Sequence, residues 1–149
     1  MVTTIGKEAR LTDLIENLLY LEHDAVAAYE EAVTRIDDGG FKSSLQGFQR
    51  DHQRHITDLS SLMRDLGGTP PGGGDFKQML TTGKVKMADF FGDKAILQAM
   101  KTNEDDTNTA YERAAAHGEA TPAARTLFEG CLADERRHRA WIEETVARL

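Results

Sequence analysis

A single cysteine, Cys131, leaves this chain no internal disulfide to form, and a reducing cytoplasm is the setting expected for it. No stretch approaches the roughly 18 apolar residues that a membrane span needs, and Met1 to Arg10 has no run of signal-peptide type. Positive charge is also in short supply. Lys and Arg number 18 against 25 Asp and Glu, for a net charge of −7. A nucleic-acid or anionic-membrane partner would need a basic face, so both are excluded, whereas cations suit the balance. Proline occurs three times, and only Pro122 stands near a long apolar pattern, where it suits a helix start. At 149 residues the chain is read as one domain, 1–149, large enough to bury a core.

The chain is divided by three clusters of helix stoppers: Gly39-Gly40, Gly67 to Gly74 with Pro70 and Pro71, and His117 to Pro122. Between them apolar residues recur in steps of three and four, the period of a helix face. Leu11, Leu14, Leu18, Ala25, Tyr29, Ala32 and Ile36 form the first stripe. Phe41, Leu45, Phe48, Ile56, Leu59, Met63 and Leu66 form the second. Ile96, Met100, Thr107, Tyr111 and Ala114 form the third, and Leu127, Cys131, Ile142, Thr145 and Leu149 the fourth. The spacing predicts helices over 11–37, 41–66, 93–117 and 122–149, with Thr121 capping the last. Short connections make hairpins of the first and second pairs. The Gly67–Gly92 stretch is long enough to cross the bundle lengthwise and to carry a short helix such as Phe76–Leu80. The expected fold is all-α, a four-helix bundle with one long crossover between the second and third helices.

The chain also repeats. Glu22-His-Asp followed by Tyr29-Glu30-Glu-Ala32 returns 82 residues later as Glu104-Asp-Asp followed by Tyr111-Glu112-Arg-Ala114. His52-Gln-Arg-His55 returns 83 residues later as Glu135-Arg-Arg-His138. Two hairpins sharing one pattern point to a pseudo-twofold bundle.

Every stripe has one polar interruption at the helical period. Glu22 falls four after Leu18 and three before Ala25. His52 falls four after Phe48, with His55 three beyond it. Glu104 falls four after Met100 and three before Thr107. Glu135 falls four after Cys131, with His138 four before Ile142. Six ionisable side chains therefore point into the core, where an unpartnered charge is too costly to persist. Counted from the two hairpin turns, at about 1.5 Å per residue, all six come to one layer near mid-bundle.

A Glu from each of two helices, with Glu-x-x-His from each of the other two, is the pattern of ferritin-like di-iron and di-manganese proteins. Glu22, His55, Glu104, Glu135 and His138 match it position by position. The chain resembles rubrerythrin, bacterioferritin and small bacterial ferritin-like proteins over all four helices, without the cysteine pairs of a rubredoxin domain. The resemblance implies a metal site of Glu22, His52, His55, Glu104, Glu135 and His138. It implies two iron ions, with manganese, zinc or copper as alternatives. It also implies Fe(II) oxidation or O2 and peroxide reduction, and a homo-oligomer such as a dimer. The departure is His52, where the family carries the Glu that bridges the metals. Three carboxylates and three imidazoles then replace four and two, which suits iron, zinc or copper. The alternative function is a non-catalytic metal-binding or stress-related protein whose modified site holds iron, zinc or copper.

Tyr29 and Tyr111, seven residues after Glu22 and Glu104, are either core tyrosines or hydrogen-bond donors to ligand carboxylates across the bundle. Cys131 is read as a small buried hydrophobe. Asp51, Asp105, Asp106 and Asp134 are read as members of solvated faces; Asp51 and Asp134 also precede the two His-bearing pairs, where supporting contacts are the alternative. Arg136, Arg137 and Arg139 are expected to pair along the last helix with Glu143 and Glu144.

Overall fold

The structure, a computed structural model, describes residues 3–71 and 90–149. Its elements are α1 (Leu11–Arg35), α2 (Gly39–Asp65), α3 (Asp93–Ala115) and α4 (Pro122–Ala147), and no strand occurs among the described residues. The helix ends follow from capping chemistry. The Thr121 hydroxyl accepts the Ala124 N–H at 3.1 Å, with Pro122 at the first helical position, where its missing N–H costs nothing. The Gly39-Gly40 pair does not break the chain as expected. Asp38 accepts the Phe41 N–H at 2.9 Å and starts α2 at Gly39 itself. Glycine is tolerated there because first-turn N–H groups need no intrahelical acceptor. The actual break is Ile36, which turns extended and closes α1.

The buried face of α1 runs Leu11, Leu14, Ile15, Leu18, Leu19, Glu22, Ala25, Tyr29 and Ala32, and the other helices bury matching faces. Two apolar clusters result, one at each end. Leu14, Leu18, Leu59, Tyr111 and Phe128 anchor the first. Tyr29, Ile36, Leu45, Ile96, Leu97 and Ile142 anchor the second. Each fully buried side chain of this size stabilises by about 1.5–3 kcal/mol. Together they offset the several kcal/mol that each ion buried between them costs.

Packing is closest within the hairpins α1–α2 and α3–α4 and sparser between them, where α1 meets α3 and α2 meets α4. Tyr29 reaches Glu104 and Tyr111 reaches Glu22, so α1 and α3 are antiparallel. It follows that α2 and α3 are parallel: α2 ends beside the first apolar cluster and α3 begins beside the second. The helix expected at Phe76–Leu80 lies outside the described residues.

Residues before α1 strap across the end of α3. Arg113 donates to the carbonyls of Thr3 (2.7 Å) and Ile5 (3.2 Å), and His117 donates from Nε2 to the Glu8 carbonyl at 2.6 Å. Among the described residues no helix is long and apolar enough to cross a membrane.

Candidate metal centre

Between the two apolar clusters lies one polar layer. Glu22 of α1, His52 and His55 of α2, Glu104 of α3, and Glu135 and His138 of α4 all meet there, each at most 1 % exposed. Their donor atoms form two overlapping groups that could each hold an ion. One is Glu22, His52, His55 and Glu135; the other is His52, Glu104, Glu135 and His138. Within each, the donor atoms lie within 4.8 Å of one another. His52 and Glu135, the counterparts in the internal repeat, are the two members common to both.

The layer is held from outside by a crossed set of charges. His55 of α2 bonds through Nε2 to Asp134 of α4, and His138 of α4 bonds through Nε2 to Asp51 of α2, both at 2.8 Å. Arg137 bonds Asp51 at 2.7 Å and Asp134 at 3.2 Å. Arg54 bonds Asp51 at 3.1 Å and also reaches Asp134. Each Asp thus fixes the proton of one histidine on Nε2 and leaves its Nδ1 lone pair facing inward.

The carboxylates are also fixed. Tyr111 donates its hydroxyl to Glu22 Oε1 at 2.7 Å, and Tyr29 donates to Glu104 Oε1. The Thr107 hydroxyl lies 3.2 Å from both Glu104 Oε2 and Glu135 Oε2. Asn108 donates to the backbone carbonyls of Glu104 (2.7 Å) and Glu135 (3.1 Å), tying α3 to α4 at this level. Thr107 is a member of the third apolar stripe, whereas Asn108 belongs to no stripe. Their signal was position: Thr107 follows Glu104 by three and Asn108 by four, so both lie over its turn.

Burial opposes ionisation of every group here, and neighbouring charges reverse that unevenly. Burial raises the Glu22 carboxyl, but the charge and hydrogen bonds of His52 and His55 outweigh it and hold it at about 2. Burial of Glu104 is likewise outweighed by hydrogen bonds with His138 and His52, which hold it well below the usual range. Glu135 goes the other way. Burial, helped by the charge of Glu104, outweighs His52 and pushes it up to about 7. Burial favours a neutral His138 ring, yet Glu104 and Glu135 push it up to about 9. His52 and His55 are driven well above the ordinary imidazole value against the same burial. For His52 the charges of Glu135 and Glu22 lead; for His55 it is hydrogen bonds with Cys131, Glu135 and Glu22. Cys131, buried at the rim of the layer, therefore contacts His55 as well as packing.

The family model that matches this chain is DUF2383, a domain of unknown function, over residues 10–117. The chain belongs to the DUF2383 family. The match takes in Glu22, His52, His55 and Glu104 of the layer, while Glu135 and His138 lie beyond it on α4. No curated protein matches the chain. Among solved structures, the family member is similar to the bacterioferritin-related protein of Bacteroides fragilis, described as a dodecameric thioferritin. The TM-score is 0.79 at 16 % identity, covering 93 % of this chain and 84 % of that one. It is also similar to Dps from Thermosynechococcus elongatus, with TM-score 0.72 and 14 % identity over 91 % of this chain and 88 % of that one. The fold is a ferritin-like four-helix bundle.

The residues of the layer fit metal ions. With Nε2–H given to an Asp, the inward Nδ1 of His55 meets carboxylate oxygens of Glu22 at 3.2 Å and Glu135 at 3.4 Å. Nδ1 of His138 meets Glu104 Oε1 and Glu135 Oε2, each at 3.4 Å. Lone pairs then face lone pairs, which is tolerable only with a proton or a cation between them. His138 Nδ1 and Glu135 Oε1 are fully buried, and their approaches to the other groups of the layer lack good hydrogen-bond geometry among the described residues.

Proposed function

We propose that this chain holds two divalent transition-metal ions in its core layer and uses them to oxidise Fe(II) with dioxygen or peroxide. Glu22 and His55 would hold one ion and Glu104 and His138 the other, with Glu135 shared and His52 adding its imidazole. The observation that carries the reading is the inward Nδ1 atoms of His55 and His138 facing carboxylate oxygens. A pair of iron ions, when bound, supplies one-electron chemistry toward an oxidant. The chain supplies the rest. Tyr29, Tyr111 and Thr107 hold the carboxylates in place, and Asp51 and Asp134 hold the imidazoles. The leucine and phenylalanine clusters keep bulk water out. The likeness to a dodecameric protein supports a homo-oligomer, for which light scattering on the purified protein is the measurement.

The third imidazole favours a second reading, a store for iron, zinc or copper that does not turn over. Three carboxylates balance a pair of trivalent ions less well than four, so oxidised iron is less favoured here. Chelator-cleared protein titrated with Fe(II) without air, then exposed to air, separates the two. Uptake of two ions followed by oxidation faster than in buffer supports turnover. Uptake without faster oxidation supports the store. Failure to bind Fe(II), Zn(II) or Mn(II) overturns both.

A further inference from the structure

The three histidines of the layer are not built alike. His55 and His138 each spend one ring nitrogen on an outer aspartate, 2.8 Å away, and turn the other inward. His52 turns both inward. Its Nδ1 lies 2.7 Å from Glu22 Oε2 and 3.4 Å from Glu135 Oε1, and its Nε2 lies 3.4 Å from Glu104 Oε1. Glu22 belongs to one donor group and Glu104 to the other, so each nitrogen faces a different ion position. Turning the ring over would set carbon atoms against both carboxylates. Among the described residues, the polar contacts of His52 are all to the carboxylates of the layer. Position 52 is also the repeat counterpart of Glu135, the other residue common to both groups.

We propose that His52 bridges the two metal ions, Nδ1 to one and Nε2 to the other, as a ring stripped of both N–H protons. The proposal rests on the two-metal reading. When the ions enter, each displaces one ring proton to solvent and takes its place on nitrogen, and no electron changes hands. Charge favours the stripped ring. Glu22, Glu104 and Glu135 bring three negative charges against four positive ones from two divalent ions. Asp51 and Asp134 are matched by Arg54 and Arg137. A neutral His52 would leave one positive charge unbalanced in a buried layer, which is costly. A singly negative ring closes the sum at zero. Imidazole donors suit zinc, copper and iron, so these are the ions such a bridge would take.

The test uses the full chain with 15N-labelled histidine, cleared with chelator and titrated with Zn(II). NMR spectra correlating ring nitrogens with ring hydrogens report which nitrogens carry protons. With two zinc ions bound, one of the five histidines should lack a proton on both nitrogens, while His55 and His138 keep theirs on Nε2. His52→Gln keeps a polar group of similar size but cannot bridge. It should lose the second zinc or bind it at least about a hundredfold more weakly, beyond what loss of an outer partner costs. Zinc bound with every histidine keeping a nitrogen proton overturns the bridge and leaves the two-metal reading standing. So does a folded His52→Gln variant that binds two zinc ions as tightly as the parent. No zinc uptake at all overturns the two-metal reading, and the bridge with it. If His52→Gln fails to fold, the parent spectra decide alone.

Discussion

His138 on α4 gives its outer ring nitrogen to Asp51 on α2 across 2.8 Å, and this contact crosses a pair of helices packed far more sparsely than either hairpin. Its repeat counterpart, His55 with Asp134, crosses in the opposite sense at the same distance. Removing an outer carboxylate of this kind frees the ring to rotate and lowers its basicity. Asp51→Ala should therefore weaken Zn(II) binding about 10–100-fold while leaving the helices intact. Competition with a chromophoric chelator measures it. Unchanged affinity would mean that Asp51 serves only to neutralise Arg137 and Arg54.

Glu135 and Glu112 make a matched comparison. Glu135 is fully buried and belongs to both donor groups; Glu112 is exposed, 3.8 Å from Arg136. Glu135→Ala should abolish binding of at least one ion per chain, and Glu112→Ala should change neither stoichiometry nor affinity. Elemental analysis after equilibrium dialysis gives both. Equal behaviour would move the site away from this layer.

The metal-free protein should lose stability as pH rises. The Glu135 carboxyl titrates near 7 in the folded chain against about 4.5 unfolded, and His138 near 9 against about 6.5. Both pKa values are raised, so the folded state binds more protons. Their stabilising effect is complete below the unfolded values and is lost as pH climbs through the folded ones. The window runs from about 4.5 to 7 for Glu135 and from about 6.5 to 9 for His138. Glu22 works the opposite flank. Held at about 2, it stabilises above 4.5 and is lost as pH falls toward 2. At about 1.4 kcal/mol per unit, His138 alone accounts for roughly 3 kcal/mol. Thermal melts of chelator-treated protein between pH 5 and 9 should fall steadily, whereas zinc-loaded protein should not. A flat metal-free profile would refute the charge assignment.

Gly6 anchors the strap before α1. It sits at φ +106°, and a Cβ there would lie 2.2 Å from the Arg113 Cβ. Gly6→Ala combines backbone strain with a collision and should destabilise by about 1–3 kcal/mol. Urea unfolding reads the loss. A change below about 0.5 kcal/mol would mean that the strap lifts off without consequence.

The four helices and the six buried donors were legible because both follow from spacing along one helix. An apolar stripe with Glu or His at its gap specifies which side chains face inward. Gly39-Gly40 misleads locally, because Asp38 caps Phe41 and lets the helix begin at the glycines. The other miss lies between helices. Arg137 was expected to pair within its own helix, and Arg139 does approach Glu143 at 3.9 Å. Arg137 pairs within α4 only with Asp134, not with Glu143 or Glu144, and also reaches Asp51 on α2, while Arg54 joins the same two aspartates. That choice depends on how α2 and α4 are rotated toward each other, which no single-helix period encodes. The repeat did carry the clue, since Asp51 and Arg54 recur 83 residues later as Asp134 and Arg137.

The division of the donors between hairpins bears on how the chain folds. Each ion position draws three residues from one hairpin and one from the other: Glu135 joins Glu22, His52 and His55, while His52 joins Glu104, Glu135 and His138. Contacts close in sequence form early, so each hairpin can assemble before the two meet. A lone hairpin then presents an incomplete set, with its carboxylates still open to water. Cations should act on the final docking step and leave helix formation alone, making metal uptake a clock for the meeting of the two halves.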